Sequence, residues 1–160
     1  MKACIIYHSE SGNTRHVAQH AASACNAQLI EVNDRHSYSR FIKFLVQCKM
    51  ARSEELTEID PGFVDVSEYD LLVFGSPVWA FKPTPVIHSA IASLKSCEGK
   101  RAVTFYTHGG KPGQTGETFR KWIDERGMFP VGCVGIHQKE IESEKLTNDL
   151  ISRINSAKDN

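Results

Sequence analysis

Apolar residues along the chain fall into five short continuous runs, and the segments between them carry apolar positions every three or four residues. Continuous apolar runs of this length are typical of strands that are buried on both faces of a sheet. A spacing of three or four is typical of amphipathic helices. The pattern therefore predicts helices alternating with strands, the strands lying at residues 4–7, 28–32, 71–75, 102–107 and 131–136.

The predicted helices have recognisable ends. Thr84 followed by Pro85 is typical of a helix N-cap with proline at the first helical position, and Gly127 is typical of a helix end. Residues 50–68 show neither period, and we predict mostly loop there. Helices are predicted over residues 13–25, 39–49, 85–94, 115–126 and from 143 onwards.

Each predicted helix has apolar side chains on one face, which we expect to pack on the sheet. In the first helix this face comprises Val17, Ala21, Ala24 and Cys25. The second helix carries Phe41, Ile42, Leu45, Val46 and Cys48.

Five strands that alternate with five helices form repeated βα units. Because βα crossovers are right-handed, such units build a parallel sheet with helices on both faces. The chain of 160 residues is too short for an eight-stranded barrel, which needs about 250. We therefore predict an α/β fold with an open, doubly wound sheet in one domain spanning residues 1–160. Ligands of such sheets bind where the strands end, so the segments after Tyr7, Gly75 and Tyr106 are the places to look for a site.

Charge and composition exclude several classes of protein. The chain has 19 Lys and Arg residues against 19 Asp and Glu residues. This balance argues against a nucleic-acid binder or a polybasic membrane-surface protein. No run approaches the roughly 18 apolar residues of a membrane span, and we expect no membrane association. Seven acids and no Lys or Arg lie within residues 53–70, which is typical of a solvated loop and also fits a docking face.

The cysteines and histidines do not have the spacing of a metal site. Five cysteines occur without a CxxC pair, each in or beside an apolar segment. Thiols used as small core residues indicate a reducing compartment, so we expect a cytoplasmic protein without a structural metal.

The segment after the first strand is rich in hydrogen-bond donors and leads directly into a helix. Hydroxyls, an amide and the free N–H groups of a helix N-terminus together attract an anion such as phosphate. The segment lacks Lys and Arg, so neutral donors would hold the phosphate. The alternative is that the hydroxyls cap the helix and that the segment binds no ligand. Its residues are His8, Ser9, Glu10, Ser11, Gly12, Asn13 and Thr14.

Competing phosphate-binding motifs are absent at this position. The sequence has neither GxGxxG after the first strand nor GxxxxGK[ST], which argues against a dinucleotide fold of that kind and against a P-loop. A low-molecular-weight tyrosine phosphatase would carry Arg six residues after its cysteine, where Glu10 follows Cys4. A response-regulator receiver would carry an acidic pair where this chain has His8 and Ser9.

Two further segments are candidates for ligand binding. Residues 75–85 contain large aromatic rings, and residues 107–113 are rich in glycine. Trp79 and Phe81 are suited to stacking on a flat heteroaromatic ligand, although both would alternatively cover the core. Glycines after the fourth strand allow the backbone to approach a ligand edge closely. The candidate ligand contacts are Ser76, Pro77, Val78, Trp79, Ala80, Phe81, Thr107, His108, Gly109 and Gly110.

These features resemble the flavodoxins. Residues 5–14 match the family's phosphate-loop signature, an apolar strand followed by Ser/Thr-x-Ser/Thr-Gly-x-Thr, and the chain length and five βα units agree with it. The resemblance implies a five-stranded parallel sheet in the order 2-1-3-4-5 and FMN as the cofactor. It further implies that Trp79 stacks on the flavin and that Ala80 lies near flavin N5. Its implied phosphate donors are the side chains of Ser9, Ser11, Asn13 and Thr14.

The sequence departs from the family pattern at two positions. Many flavodoxins have glycine where the backbone switches on flavin reduction, and this chain has Ala80. Many also have a tyrosine over the outer flavin face. Here His108 is the nearest substitute, because Tyr106 falls within the predicted strand.

The resemblance implies an electron carrier that passes electrons between redox partner proteins and needs no catalytic residue of its own. One alternative is an FMN-dependent NAD(P)H or quinone reductase, or a protoporphyrinogen oxidase of the flavodoxin-like type. Another is a flavin-free interaction module. Lys82 and Lys111 on the ring-side segments are expected to favour the reduced, anionic flavin, unless both side chains point into water.

Overall fold

A parallel sheet with helices on both faces forms the centre of the molecule. The computed structural model describes residues 1–36 and 40–159. In chain order the elements are β1 (Ala3–Tyr7), α1 (Asn13–Cys25), β2 (Gln28–Glu31), β3 (Asn33–Asp34), α2 (Arg40–Ser53), β4 (Ile59–Asp60), β5 (Leu71–Trp79), β6 (Lys82–Pro83), α3 (Pro85–Ala92), β7 (Arg101–His108), α4 (Thr115–Glu125), β8 (Phe129–His137), a 3₁₀ turn (Gln138–Glu140) and α5 (Lys145–Asp159).

The main strands lie in the order β2-β1-β5-β7-β8, and all of these pairs are parallel. This confirms the predicted order 2-1-3-4-5. The short strand β6 pairs with β5 in the antiparallel sense, and β3 and β4 form a separate antiparallel ribbon. Residues 50–68 are mostly loop, as predicted, apart from the last turn of α2 and the two-residue strand β4.

The central strands are buried on both faces, as their continuous apolar runs predicted. In β1, Cys4 and Ile6 face one core with α3 and α4, whereas Ala3, Ile5 and Tyr7 face a second core with α1 and α5. The two cores follow from the alternation of side chains along a strand. None of the helices in the described part of the chain is long and apolar enough to cross a membrane.

Several predicted helix features are confirmed. Helix α1 has the predicted bounds, and Thr84 caps α3 by accepting a hydrogen bond from the Ile87 N–H, with Pro85 at the first helical position. Gly127 follows α4 with φ of 68°, a left-handed conformation that favours glycine.

Other predictions about side chains are wrong. Ala24 is exposed, and Ile42 and Leu45 on α2 are 51% and 54% exposed. Helix α2 lies beside α3 and the β5–β6 hairpin, so only part of its surface is covered. Cys133 is exposed on the edge strand β8 and does not belong to the core. Ser39 and the side chain of Phe41 lie outside the described residues.

The carboxyl edge of the sheet has a step beside β1. Tyr7, the last residue of β1, pairs in register with Gly75 of β5, which in turn pairs with Phe105 of β7. Strand β5 continues four residues beyond this level and β7 continues three. The step opens a crevice at the point where the strand order reverses, which is where open α/β sheets bind ligands.

At the level of the step, position 75 has room only for glycine. A Cβ atom on Gly75 would lie 2.2 Å from Cζ of the buried Phe105 ring. We expect Gly75→Ala to lower the free energy of unfolding by about 1–3 kcal/mol, because the ring must leave its rotamer or the strands must separate. Urea denaturation measures this loss.

The matched control is Gly132→Ala in β8, where the added Cβ would meet its nearest neighbour at an ordinary 3.5 Å. Phe105→Leu combined with Gly75→Ala should recover part of the loss. A double variant whose loss equals the sum of the two single losses would contradict the proposed clash.

Candidate functional site

The donor-rich loop after β1 occupies the step in the sheet. The loop is fixed at both ends, because the His8 N–H donates to the Gly75 carbonyl at 3.0 Å and the Thr14 and Thr107 hydroxyls are 2.8 Å apart. The second contact joins the start of α1 to the end of β7 across the crevice. Glu10 and Ser11 between these anchors are exposed.

The loop keeps donors available for an anion. Gly12 is the N-cap residue of α1, with φ of 95°. Because it is glycine, it has no side chain that could cap the helix. The N–H groups of Asn13 and Thr14 belong to the first turn, so they have no acceptor within the helix. The Ser9 oxygen accepts from the Arg15 N–H at 3.2 Å, which leaves its hydroxyl hydrogen free to donate. Ser9 therefore caps one amide and can still contact a ligand.

The second candidate segment is not a loop over most of its length, which corrects the prediction for residues 75–85. Strand β5 continues to Trp79, and a two-residue turn at Ala80 and Phe81 leads into β6. Ala80 and Phe81 have φ of 48° and 68°, a conformation that usually selects Asn or Gly in a hairpin turn. An Ala-Phe turn lacks that signal, so the sequence pattern did not predict the hairpin.

Side chains at the base of this hairpin are held by internal bonds. The Ser76 hydroxyl donates to the Pro77 carbonyl at 2.8 Å and accepts from the Thr84 N–H at 3.0 Å. Ser76 is fully buried, so these bonds position the base of the hairpin. Pro77, Val78 and Trp79 are half-buried.

The tip of the hairpin packs on the third candidate segment. The Gln114 N–H donates to the Phe81 carbonyl at 3.0 Å, and a Cβ on Gly113 would lie 2.3 Å from that of Phe81. A cavity of about 440 Å³ lies beside this contact and is lined by Ala80, Phe81 and Gly113 together with Arg52, Lys82 and Gln114. Phe81 is 57% exposed, so it does not cover the core.

The third candidate segment begins at the end of β7. Thr107 is buried and bonded to Thr14, whereas Gly109 and Gly110 are exposed. His108 is half-buried, with Nδ1 against the Gly110 carbonyl and its ring 5.2 Å from that of His137. Tyr106 lies within the strand, as predicted.

The structure thus brings the predicted residues to one edge of the sheet in two groups. The loop of Ser9, Glu10, Ser11, Gly12, Asn13 and Thr14 meets the end of β7 at Thr107. The hairpin of Trp79, Ala80 and Phe81 meets the segment after β7 at Gly113. A cavity of about 490 Å³ between α4 and the first half of β8 lies away from both groups.

The sequence pattern did not predict the role of Glu54, a carboxylate outside the hairpin that binds the hairpin residue Lys82. Glu54 follows α2, and its carboxylate accepts from Lys121 and Lys82 at 2.8 Å each and from Trp122 Nε1 at 3.3 Å. These donors hold the pKa of Glu54 at about 2. Lys82 is therefore an ion-paired side chain and does not supply the uncompensated charge that we expected near the ring. Glu54 lies 28 residues before Lys82, and no local pattern marks the pair.

A family model described as Flavodoxin matches residues 2–128. The chain belongs to the flavodoxin family. No curated protein matches the chain. Solved structures with the same fold include a flavoprotein in complex with FMN from Lactobacillus acidophilus, at 23% identity and a TM-score of 0.68, with 89% of this chain and 97% of that chain covered.

Other structural neighbours differ in function from one another. A flavodoxin from the domain Archaea is 18% identical, covers 99% of each chain and has a TM-score of 0.59. An NADH:FMN oxidoreductase in its apo form is 14% identical and has a TM-score of 0.66. The match covers 98% of this chain and 88% of the oxidoreductase chain. At these identities the likeness shows the flavodoxin fold alone.

The ion pairs of Glu54 predict an acid-dependent loss of stability. The lowered pKa means that the contribution of Glu54 is complete above its ordinary pKa of 4.5 and is lost as the pH falls towards 2. We expect Glu54→Gln to lower the free energy of unfolding by about 1–2 kcal/mol near pH 7, since its lysine partners are partly exposed. Urea denaturation from pH 7 to pH 2.5 measures how this difference shrinks.

The matched control is Glu55→Gln, which removes a neighbouring carboxylate that accepts from the Ser53 hydroxyl. A Glu54→Gln difference that stayed constant down to pH 2.5 would show that the carboxylate charge does not stabilise the hairpin.

Proposed function

We propose that this flavodoxin-family protein binds FMN and carries electrons between redox partner proteins. The observation that carries the proposal is the loop at the step in the sheet, which places the Ser9 hydroxyl and the uncapped N-terminus of α1 beside the end of β7. Family membership and the FMN complex of the structural neighbour from Lactobacillus acidophilus support FMN as the ligand.

The loop residues fit a phosphate group. The hydroxyls of Ser9 and Ser11, the amide of Asn13 and the first-turn N–H groups of α1 can donate to its oxygens. The Thr14 hydroxyl can donate as well when Thr107 supplies the hydrogen of their shared bond. A helix N-terminus adds a favourable field for an anion.

The ring-side segments fit a flat heteroaromatic group. Trp79 and Phe81 supply aromatic surface at the hairpin, and the exposed backbone of Gly109 and Gly110 can approach a ring edge. FMN supplies the one- and two-electron chemistry when it is bound. The chain supplies the binding, the orientation and the exclusion of water, and Lys111 is the ring-side cation that remains exposed after Lys82 is paired.

An NAD(P)H-dependent reductase is the second candidate function. It is favoured by one observation, the shared fold with an NADH:FMN oxidoreductase at a TM-score of 0.66. The carrier proposal is supported by the family match over residues 2–128 and by the archaeal flavodoxin, with 99% of each chain covered.

Loss of phosphate donors should weaken the binding of FMN much more than the binding of riboflavin. We expect Ser11→Ala with Thr14→Ala to weaken FMN binding by about 100-fold or more, because hydrogen bonds to a charged group contribute roughly 1.5–3 kcal/mol each. Riboflavin lacks the phosphate and should bind with nearly unchanged affinity. Quenching of flavin fluorescence measures both affinities.

Ser23→Ala at the other end of α1 is the matched control for that double variant. Equal losses of affinity for FMN and riboflavin would place the phosphate elsewhere.

Turnover without a partner distinguishes the two candidate functions. We expect the purified FMN-loaded protein to oxidise NADH or NADPH no faster than free FMN does, and to be reduced readily by a flavodoxin reductase supplied with NADPH. The measurement is the loss of nicotinamide absorbance under air, with free FMN as the control. Rapid, saturable oxidation by the protein alone would establish the reductase and overturn the carrier.

A further inference from the structure

Helix α2 is followed by a glutamate with a left-handed backbone. Glu54 has φ of 57°, a conformation that usually selects glycine at the end of a helix. Its N–H donates to the Ala51 carbonyl at 3.3 Å, so the residue continues directly from the last turn. A strained conformation of this kind persists only where the surrounding structure holds it. The reason for glutamate at this position therefore lies in the contacts of its side chain.

The side chain of Glu54 joins three elements of the fold. Its carboxylate accepts from Lys82 of β6 at 2.8 Å, and also from Lys121 and Trp122 of α4. Nζ of Lys82 donates in addition to the Arg52 carbonyl at 3.3 Å, which binds β6 a second time to the end of α2. We call Glu54, Lys82, Lys121 and Trp122 the Glu54 cluster.

The pair of Glu54 and Lys82 is the shielded part of the cluster. Their side chains are 23% and 18% exposed, whereas that of Lys121 is 54% exposed. Solvent and salt therefore screen the Lys121 contact more strongly. Helix α3 supports the cluster as well, because the His88 ring stacks on Trp122 with 3.9 Å between the ring centres. Lys82 is the residue through which the cluster acts on the hairpin.

The turn next to Lys82 depends on contacts of this kind. Ala80 and Phe81 have φ of 48° and 68°, and neither is the Asn or Gly that favours such a turn. A cavity of about 440 Å³ lies on one side of the turn, so packing there is incomplete. Polar contacts hold it instead: the Phe81 carbonyl accepts from the Gln114 N–H, and the neighbouring Lys82 is bonded to Glu54 and to the end of α2.

We propose that the Glu54 cluster holds the strained hairpin turn in the conformation that receives the flavin ring, so that Glu54 is a positioning residue for ring binding. The proposal rests on the proposed binding of FMN. A ligand that binds one conformation of a turn loses affinity in proportion as that conformation becomes less populated. The phosphate loop belongs to the other group of site residues. The cluster should therefore affect the affinity for the ring and leave the contribution of the phosphate unchanged.

The affinities of the full chain, freed of cofactor, for riboflavin and FMN test the proposal. We expect Glu54→Gln to weaken the binding of both flavins about tenfold, which corresponds to a binding-competent turn in roughly one molecule in ten. The ratio of the FMN affinity to the riboflavin affinity should remain that of the wild-type chain. Quenching of flavin fluorescence at pH 7, without denaturant, measures both affinities.

NMR of the ligand-free chain gives a readout that does not involve the flavin. We expect Glu54→Gln to shift or broaden the backbone amide signals of Ala80 and Phe81 before any ligand is added. Saturating riboflavin should then bring these signals close to their positions in the wild-type complex, because the ligand selects the same conformation of the turn.

The lysines show which contact of the cluster matters. Lys82→Gln should weaken both flavins as Glu54→Gln does. The double variant should lose no more affinity than either single variant, because all three remove the same contact. Lys121→Gln should weaken binding less than threefold, because this lysine lies on α4 and its contact is screened.

Two controls separate positioning from a general loss of stability. Glu55→Gln removes the neighbouring carboxylate, which bonds to the Ser53 hydroxyl. Ile154→Val lowers stability by removing a methyl group from the core between the sheet and α5, on the opposite face from α3 and α4. Both variants should keep the wild-type affinity for riboflavin and for FMN.

Riboflavin affinity that stayed at the wild-type level in Glu54→Gln would overturn the proposal while leaving FMN binding intact. So would a double variant whose loss of affinity is the product of the two single losses. If Glu54→Gln does not fold, Lys82→Gln decides by the same ratio of affinities and the same amide signals. A wild-type chain that binds neither flavin would overturn the proposed function itself, and the proposal with it.

Discussion

The architecture of the site depends on one contact, in which the ring of Phe105 fills the space that Gly75 leaves without a side chain. This contact lets β5 run between β1 and β7 at the level where β1 ends. Beyond that level β5 and β7 continue together, and the loop after β1 turns into the step beside them. The shared bond between Thr14 and Thr107 closes the same crevice from the side of α1.

Much of this fold could be predicted from the sequence because its signals are local. Apolar runs gave the buried strands, and Thr84 with Pro85 gave the start of α3. The β5–β6 hairpin could not be predicted, since Ala80 and Phe81 occupy left-handed positions that usually hold Asn or Gly, each at a cost of order 1 kcal/mol or more. Backbone strain of this kind often lies at functional sites, in agreement with the place of the hairpin beside the crevice.

The ion pairs between residues far apart in the chain could not be predicted from the sequence either. Glu54 comes from a segment whose acids indicated either a solvated loop or a docking face, and it binds two lysines and a tryptophan instead. Other acids of that segment also have partners within the chain, Glu68 with Lys2 among them. The donor loop, by contrast, was recognisable because its residues are contiguous, although the burial of His8 against Val32 was not.

The central claim is that the loop after β1 holds the phosphate of FMN while the hairpin and the end of β7 hold the ring. The most direct measurement is the change of backbone amide NMR shifts on titration of the full-length, nitrogen-15-labelled chain with FMN and with riboflavin. We expect both ligands to shift the amides of Ala80, Phe81, Gly109 and Gly110, and FMN alone to shift strongly those of Ser11, Gly12, Asn13 and Thr14. Loop amides that respond equally to both ligands, or not at all to FMN, would contradict this claim.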